Sequence, residues 1–203
     1  MELIMMITTI IVALITAVFG PIAVTWFKTK YKPESTTSPV DEAIELNSLV
    51  DDQLGVIMEE LKCDRVWISQ FHNGGHFYPT GKSIQKFSIF YEKVTIDTLP
   101  SQHTFQNIPC SLFPKAMSAL YKEGEISVPN LQSETYDLLA VAKPYGSKSF
   151  YLVALDDLQG KFIGVLSVDF KEEYKLSKED WIFIRQKAGV IGTLLDGYLN
   201  TKK

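Results

Sequence analysis

The segment best suited to chemistry is residues 70–79, which read QFHNGGHFYP. Its two glycines allow backbone amides to point inward and form an anion-binding nest, and the histidines and aromatic rings around them can add hydrogen bonds and stacking. The pattern therefore predicts a small-molecule site. The alternative is a rigid strand-to-strand loop plugged by its own aromatic side chains. The predicted ligand-binding residues of this segment are Phe71, His72, Asn73, Gly74, Gly75, His76 and Tyr78.

Metal binding and catalysis are not expected. His72 and His76 would need a third donor, such as His103, Cys110 or an acidic residue, and histidines four apart in a loop have no fixed geometry. The two cysteines lack the spacing of a zinc knuckle or a disulfide framework, which fits a reducing compartment. No nucleophile elbow, P-loop, zinc-protease or kinase motif occurs. We expect neither catalytic residues nor a metal, and no cofactor can be assigned.

Composition sets the scale of the molecule and removes one class of partner. The chain has 203 residues, 46% of them hydrophobic, and a net charge of -4, which suits one ordinary domain with an appendage. Its sequence pI is near 5.4. Duplex binding depends on clustered Lys and Arg, and these residues cluster only in three lysines after residue 27. Nucleic acid is therefore excluded as a partner.

The appendage is predicted to be a membrane anchor. Residues 3–27 contain no charged side chain, and as a helix rising about 1.5 Å per residue they would cross the lipid bilayer. A cleavable signal peptide would need a basic start and a shorter apolar core. Because Lys28, Lys30 and Lys32 follow the run, the positive-inside rule predicts a single-pass protein with its C-terminal domain in the cytoplasm.

Three regions follow from these patterns. Residues 1–32 form the anchor and a basic juxtamembrane segment, 33–40 a polar linker, and 41–203 one α/β domain. Capping boxes at Ser38 and Ser177 predict the starts of a first and a last helix. Apolar residues recur with helical periodicity and predict one buried stripe on the first helix, at Leu46, Val50, Leu54, Ile57 and Leu61. Ala188 and Gly192 predict close packing of the last helix on a sheet. Further patterns predict strands at 65–71, 84–91, 125–129, 149–155 and 162–170, a loop at 93–109 and a helix at 111–123.

The order of these elements resembles the GAF domain, a PAS-related sensory and ligand-binding module, over residues 41–199. The most specific likeness is a hairpin with Gly160 and the sequence IGVL at 163–166, followed by LSKEDW at 176–181. The resemblance implies an α+β fold: an antiparallel sheet flanked by helices, with the helices on one face and a pocket on the other. It also implies that residues 71–78 share this pocket with Tyr91 and Cys110.

Several functional subtypes of that family do not fit. The cyclic-nucleotide signature is absent, Cys110 is followed by Ser111 rather than by the histidine common in bilin-binding members, and sulfoxide-reducing members need more cysteines. We therefore expect a membrane-anchored GAF-like module that senses a small ligand or binds a protein, without catalytic output. Confinement to a membrane favours a parallel homodimer through residues 41–62 and 177–199.

Two alternatives remain. One is a single-span phage lysis protein similar to T-type holins, which also join one span to a soluble α/β domain. Their soluble domain faces the periplasm, and Lys28, Lys30 and Lys32 argue against that orientation. The other is a structural anchor whose pocket is filled by its own side chains.

Overall fold

A computed structural model describes residues 38–76, 79–133, 136–138 and 142–199. None of the helices in these ranges is long and apolar enough to cross a bilayer. The predicted anchor at 3–27, the lysines after it and most of the 33–40 linker lie outside the described residues, so anchoring and topology stay predictions. Internal contacts divide the chain into residues 1–41 and 42–203, and the whole sheet lies in the second unit.

The domain is an α+β fold built on a six-stranded sheet. The helices are α1 (Pro39–Leu61), α2 (Pro114–Glu123) and α3 (Lys178–Leu199). The strands are β1 (Arg65–His76), β2 (Ser83–Val94), β3 (Ile108–Pro109), β4 (Glu125–Val128), β5 (Ser149–Asp156) and β6 (Phe162–Phe170). They lie in the order β3-β2-β1-β6-β5-β4, and every neighbouring pair is antiparallel. The predicted antiparallel sheet is confirmed.

One face of the sheet packs against α1 and α3. The predicted stripe of α1 is buried in full, and it meets alternate residues of the strands, such as Val66 and Ile68 of β1. Both capping boxes form: Ser38 and Asp41 exchange backbone-to-side-chain hydrogen bonds, as do Ser177 and Asp180. The buried stripes that form this core are Leu46, Val50, Leu54, Ile57 and Leu61 of α1 and Ile184, Ala188, Ile191 and Leu195 of α3.

The opposite face carries α2, which corrects the expectation that the helices share one face. Ala116, Ala119 and Leu120 of α2 are buried in a second core cluster with Phe150 and Leu152 of β5. The physical reason is that the sheet is apolar on both faces, and the segment between β3 and β4 supplies the cover for the second one. A short 3-10 turn at Cys110–Leu112 precedes this helix, which begins at Pro114 rather than at residue 111.

Residues 70–76 form less of a loop than the sequence indicated. Strand β1 continues to His76, and His72 and Asn73 pair with Lys86 and Gln85 of β2. The backbone hydrogen bonds of the hairpin outweigh the weak strand propensity of glycine and asparagine. A register shift between Asn73 and His76 accommodates the glycines, with Gly75 at a positive φ of 106°. Tyr78 lies outside the described residues.

Gly192 brings α3 into close contact with the end of β5, as predicted. A Cβ atom at this position would lie 2.3 Å from the Asp156 carbonyl oxygen, whereas one at Gly189 would meet nothing within 4 Å. We therefore expect Gly192→Ala to lower the free energy of unfolding by about 1–3 kcal/mol through overpacking. Gly189→Ala, on the same helix, should raise it by about 0.5–1 kcal/mol because alanine favours helix. Urea unfolding compares them; equal stabilities would contradict the close contact.

Candidate ligand site

A cavity of about 70 Å³ lies between the sheet and α2. Helix residues Ala116 and Leu120 face the strand residues Leu152 and Val165 across it. A single water needs about 10–15 Å³ of such cavity space, so the cavity suits a compact molecule or a few waters. The walls are largely apolar and include six aromatic residues, which are Trp67, Phe87, Phe105, Phe113, Tyr145 and Phe150.

Strand alternation places the polar groups at the cavity. Because successive side chains of a strand point to opposite faces, Ser167 and Asp169 of β6 reach the cavity while their neighbour Val168 joins the core under α1 and α3. Arg65 and Ser69 of β1 line the cavity by the same rule. The cavity therefore has an apolar body and a polar end.

The polar end is organised by a buried guanidinium. Arg65 donates from Nη1 to Asp169 Oδ2 at 3.1 Å and to Ser147 Oγ at 3.2 Å. Its Nη2 donates to the carbonyl oxygens of Leu99 at 2.7 Å and Tyr145 at 3.1 Å. These bonds connect β1 and β6 to two segments that cover the sheet, so this one side chain fixes the polar end.

Glu92 of β2 is the second carboxylate of the cluster. Its Oε1 lies 3.4 Å from Arg65 Nε, and only 3% of its side chain is exposed. It also accepts hydrogen bonds from Ser101 N at 2.9 Å, Ser101 Oγ at 2.6 Å and Gln102 N at 2.8 Å. The carboxylate thereby holds the chain after β2 against the sheet, close to the cavity residue Phe105.

Asp169 is the buried acid at the cavity itself. Its Oδ1 lies 2.5 Å from Ser167 Oγ, and its Oδ2 accepts a hydrogen bond from Ser147 Oγ as well as from Arg65. Burial raises the pKa of this carboxyl, against the lowering effect of the Arg65 charge. The cluster holds one positive charge and two carboxylates, so a proton on Asp169 would neutralise it.

Asp169→Asn tests this assignment through pH. Because the pKa of Asp169 is raised in the folded state, its stabilising contribution is complete below the unfolded value, about 3.9, and is lost as pH rises through the folded value. Asparagine has the shape of the neutral acid and does not titrate. We expect the wild type to lose stability relative to Asp169→Asn as pH rises from 3.5 to 8 in urea unfolding. A difference that stays flat, or changes in the opposite direction, would contradict the assignment.

The described residues of the sequence-predicted site are not brought together at this cavity, and none of the eight lines it. Phe71 and Cys110 pack against the core cluster that surrounds the cavity, whereas Tyr91 packs against the cluster under α1 and α3. His72 Nε2 lies 2.9 Å from Ser88 Oγ, and Asn73 accepts a hydrogen bond from Gln85 Nε2 at 3.3 Å. A ligand role for these residues stays a prediction.

The two thiols are poorly suited to nucleophilic chemistry. Burial raises the pKa of Cys63 to about 12 and raises that of Cys110 as well. Within the described ranges, no three His, Cys, Asp or Glu side chains are grouped closely enough to hold a metal ion.

Arg65, Glu92 and Asp169 were not singled out by the sequence. The available signal was a charged residue inside an apolar strand: Asp169 interrupts FIGVLSVDF at 162–170, two residues after Ser167 and therefore on the same face. An acid at such a position has to find a partner once buried.

Comparison with known proteins identifies the fold. No family model and no curated protein matches the chain. Among solved structures, the phycocyanobilin-bound GAF domain of a cyanobacterial phytochrome superposes with a TM-score of 0.62 at 17% identity, covering 81% of this chain and 92% of that one. A GAF3 domain from Synechocystis in its photoproduct state gives 0.58 at 15% identity, with 76% and 95% covered. The GAF domain/HD domain protein of Geobacter sulfurreducens gives 0.58 at 12% identity, with 76% and 94% covered. At identities this low the superpositions show likeness of fold alone, and the described domain has a GAF-like fold.

Proposed function

We propose that this chain is a sensory module that binds a compact small molecule in the cavity between the sheet and α2 and has no catalytic output of its own. The observation that carries the proposal is the cavity itself, with aromatic walls and one polar end where Arg65 and Asp169 are buried. A few well-placed polar groups in an apolar concavity are typical of small-molecule sites. The alternative of a holin-like lysis protein gains no support from the GAF-fold neighbours.

The size of the cavity limits the ligand. Two of the similar structures are described as phycocyanobilin-bound and phycoerythrobilin-bound GAF domains. Pockets for drug-sized ligands measure roughly 300–1,000 Å³, and the cavity here measures about 70 Å³. A bilin exceeds that space, so the proposed ligand is a much smaller molecule than the bilins of those neighbours.

Arg65 provides a route from the cavity to the rest of the domain. The same guanidinium binds the Leu99 and Tyr145 carbonyl oxygens in the two covering segments and Asp169 in the sheet. A ligand that contacts this end changes the environment of all three. The proposed response to the ligand is a change in how the segments that contain Leu99 and Tyr145 contact the sheet.

A cavity-filling variant tests the proposed site. Ala116 is fully buried at the cavity wall, so Ala116→Leu should occupy most of the space, while Ser118→Leu adds the same side chain on the exposed side of the same helix. In a thermal-shift screen of metabolites, we expect hits that stabilise the wild type and Ser118→Leu but not Ala116→Leu, since only a ligand of the folded state raises Tm. Ala116→Val, a smaller filling, should weaken the same hits if the leucine variant folds poorly.

The screen can also reject the site. Hits that stabilise Ala116→Leu as strongly as the wild type would place binding elsewhere. No hit among neutral, cationic and anionic metabolites would favour a purely structural cavity.

We further propose that residues 3–27 hold the module at a membrane. The support is their uncharged sequence and the three lysines that follow. Protease added outside intact cells should leave residues 33–203 uncut, and the protein should stay in the membrane pellet after a carbonate wash. Recovery in the wash would contradict the anchor.

A further inference from the structure

We propose that the cavity selects a ligand without negative charge, whose polar end donates hydrogen bonds, and that it rejects carboxylates and phosphates. This inference rests on the proposed function and specifies its ligand class. Three properties of the charged side chains at the polar end of the cavity support it.

First, the buried arginine is not available as an anion clamp. Both Nη atoms of Arg65 make hydrogen bonds, and each of them bonds two acceptors of the protein. The remaining donor, Nε, is buried without a hydrogen-bond partner and lies 3.4 Å from Glu92 Oε1. An incoming carboxylate would therefore have to displace protein acceptors to reach the guanidinium.

Second, the charge balance opposes an anion. The cluster contains Arg65 against Glu92 and Asp169, and exposed fractions of the three side chains are 2%, 3% and 8%. At such burial a further negative charge would face two carboxylates in a medium that screens poorly. Burial raises the pKa of Asp169 against the lowering effect of the Arg65 charge, so the negative charge of the second carboxylate already carries a desolvation cost.

Third, the cavity end retains an acceptor. In its ionised form, the Asp169 carboxylate offers about four lone-pair positions. The hydrogen bonds of Asp169 use three, from Ser167, Ser147 and Arg65. The remaining position can accept a hydrogen bond from a ligand amide, amidine or amine, while the aromatic walls enclose its apolar body.

Isosteric probes separate the charge classes. Benzamidine, benzamide and benzoate have the same shape and are cationic, neutral and anionic at neutral pH; acetamidine, acetamide and acetate repeat the series at a smaller size. Calorimetric titration or ligand-observed NMR on the full chain gives their affinities. We expect the amidine or the amide of at least one series to bind at least tenfold more tightly than its carboxylate.

Two variants assign that preference to the cavity. Ala116→Leu should remove binding of the amidine and the amide, and Ser118→Leu should retain it. Asp169→Asn removes one carboxylate from the cluster, so the ratio of amidine to carboxylate affinity should fall severalfold.

The outcomes distinguish this inference from the function on which it rests. Binding of benzoate or acetate as tightly as its amide, or a set of cavity-dependent library hits made up of carboxylates and phosphates, would overturn the ligand class and leave the proposed function standing. Absence of any binding that depends on Ala116, in both probe series and in the library, would overturn the proposed function and the inference together.

Discussion

Arg65→Met will lower the free energy of unfolding by about 3–5 kcal/mol, the range for removing one partner of a buried ion pair. The substitution leaves Asp169 and Glu92 buried without their positive partner, and it strips the hydrogen bonds from the Leu99 and Tyr145 carbonyl oxygens. Urea unfolding at neutral pH, followed by tryptophan fluorescence, measures the loss.

Arg185→Met is the matched control for this prediction. Arg185 makes two hydrogen bonds of 2.8 Å to Glu125, but half of its side chain is exposed. Exposed pairs contribute only about 0–1 kcal/mol because water screens them. An Arg65→Met variant no less stable than Arg185→Met would refute the buried charge cluster.

A double variant provides a second stability measurement if Arg65→Met does not fold. Arg65→Met with Asp169→Asn removes one of the two uncompensated carboxylates, so it should recover part of the lost stability. A double variant as unstable as the sum of its two single variants would show that the charges are not coupled.

Leu152→Ala is expected to destabilise the protein by about 2–5 kcal/mol and to create room for a larger ligand. Leu152 is buried on the cavity side of β5, whereas Leu155 is buried on the side of α1 and α3. Leu155→Ala should therefore cost a similar amount without enlarging the cavity.

Indole distinguishes the two leucine variants. A larger apolar cavity accepts a bicyclic aromatic compound better than the original cavity does, so indole should raise the Tm of Leu152→Ala more than that of the wild type or of Leu155→Ala. Equal shifts in the two leucine variants would argue against a ligand-accessible cavity at Leu152.

The structural features that depend on local sequence periodicity were predicted best. The stripe from Leu46 to Leu61 and the capping box at Ser177 depend on residues within a few turns of each other, and both form as predicted. The hairpin of β5 and β6 was also predicted, because its strands are uniformly apolar and a turn closed by Gly160 joins them.

The resemblance to GAF domains implied a pocket on one face of the sheet, but the polar end of the cavity could not be predicted from the sequence. Arg65 and Asp169 are 104 residues apart and meet only because β1 and β6 are neighbours in the sheet. Sequence periodicity shows that alternate residues share a face, but it does not show which strands lie side by side. Residues 70–79 have an unusual composition, but the pairing of β1 with β2 through His76 places residues 70–76 in a hairpin.

Methyl chemical-shift mapping would test the central claim most directly. The best compound from the probe series or the metabolite screen is titrated into protein with labelled methyl groups. We predict that shift changes concentrate at cavity residues such as Ala116, Met117 and Val165, while Ile57 and Ile191 on the opposite face stay unchanged. Changes confined to that opposite face or to the protein surface, with the cavity methyls unmoved, would contradict a ligand site between the sheet and α2.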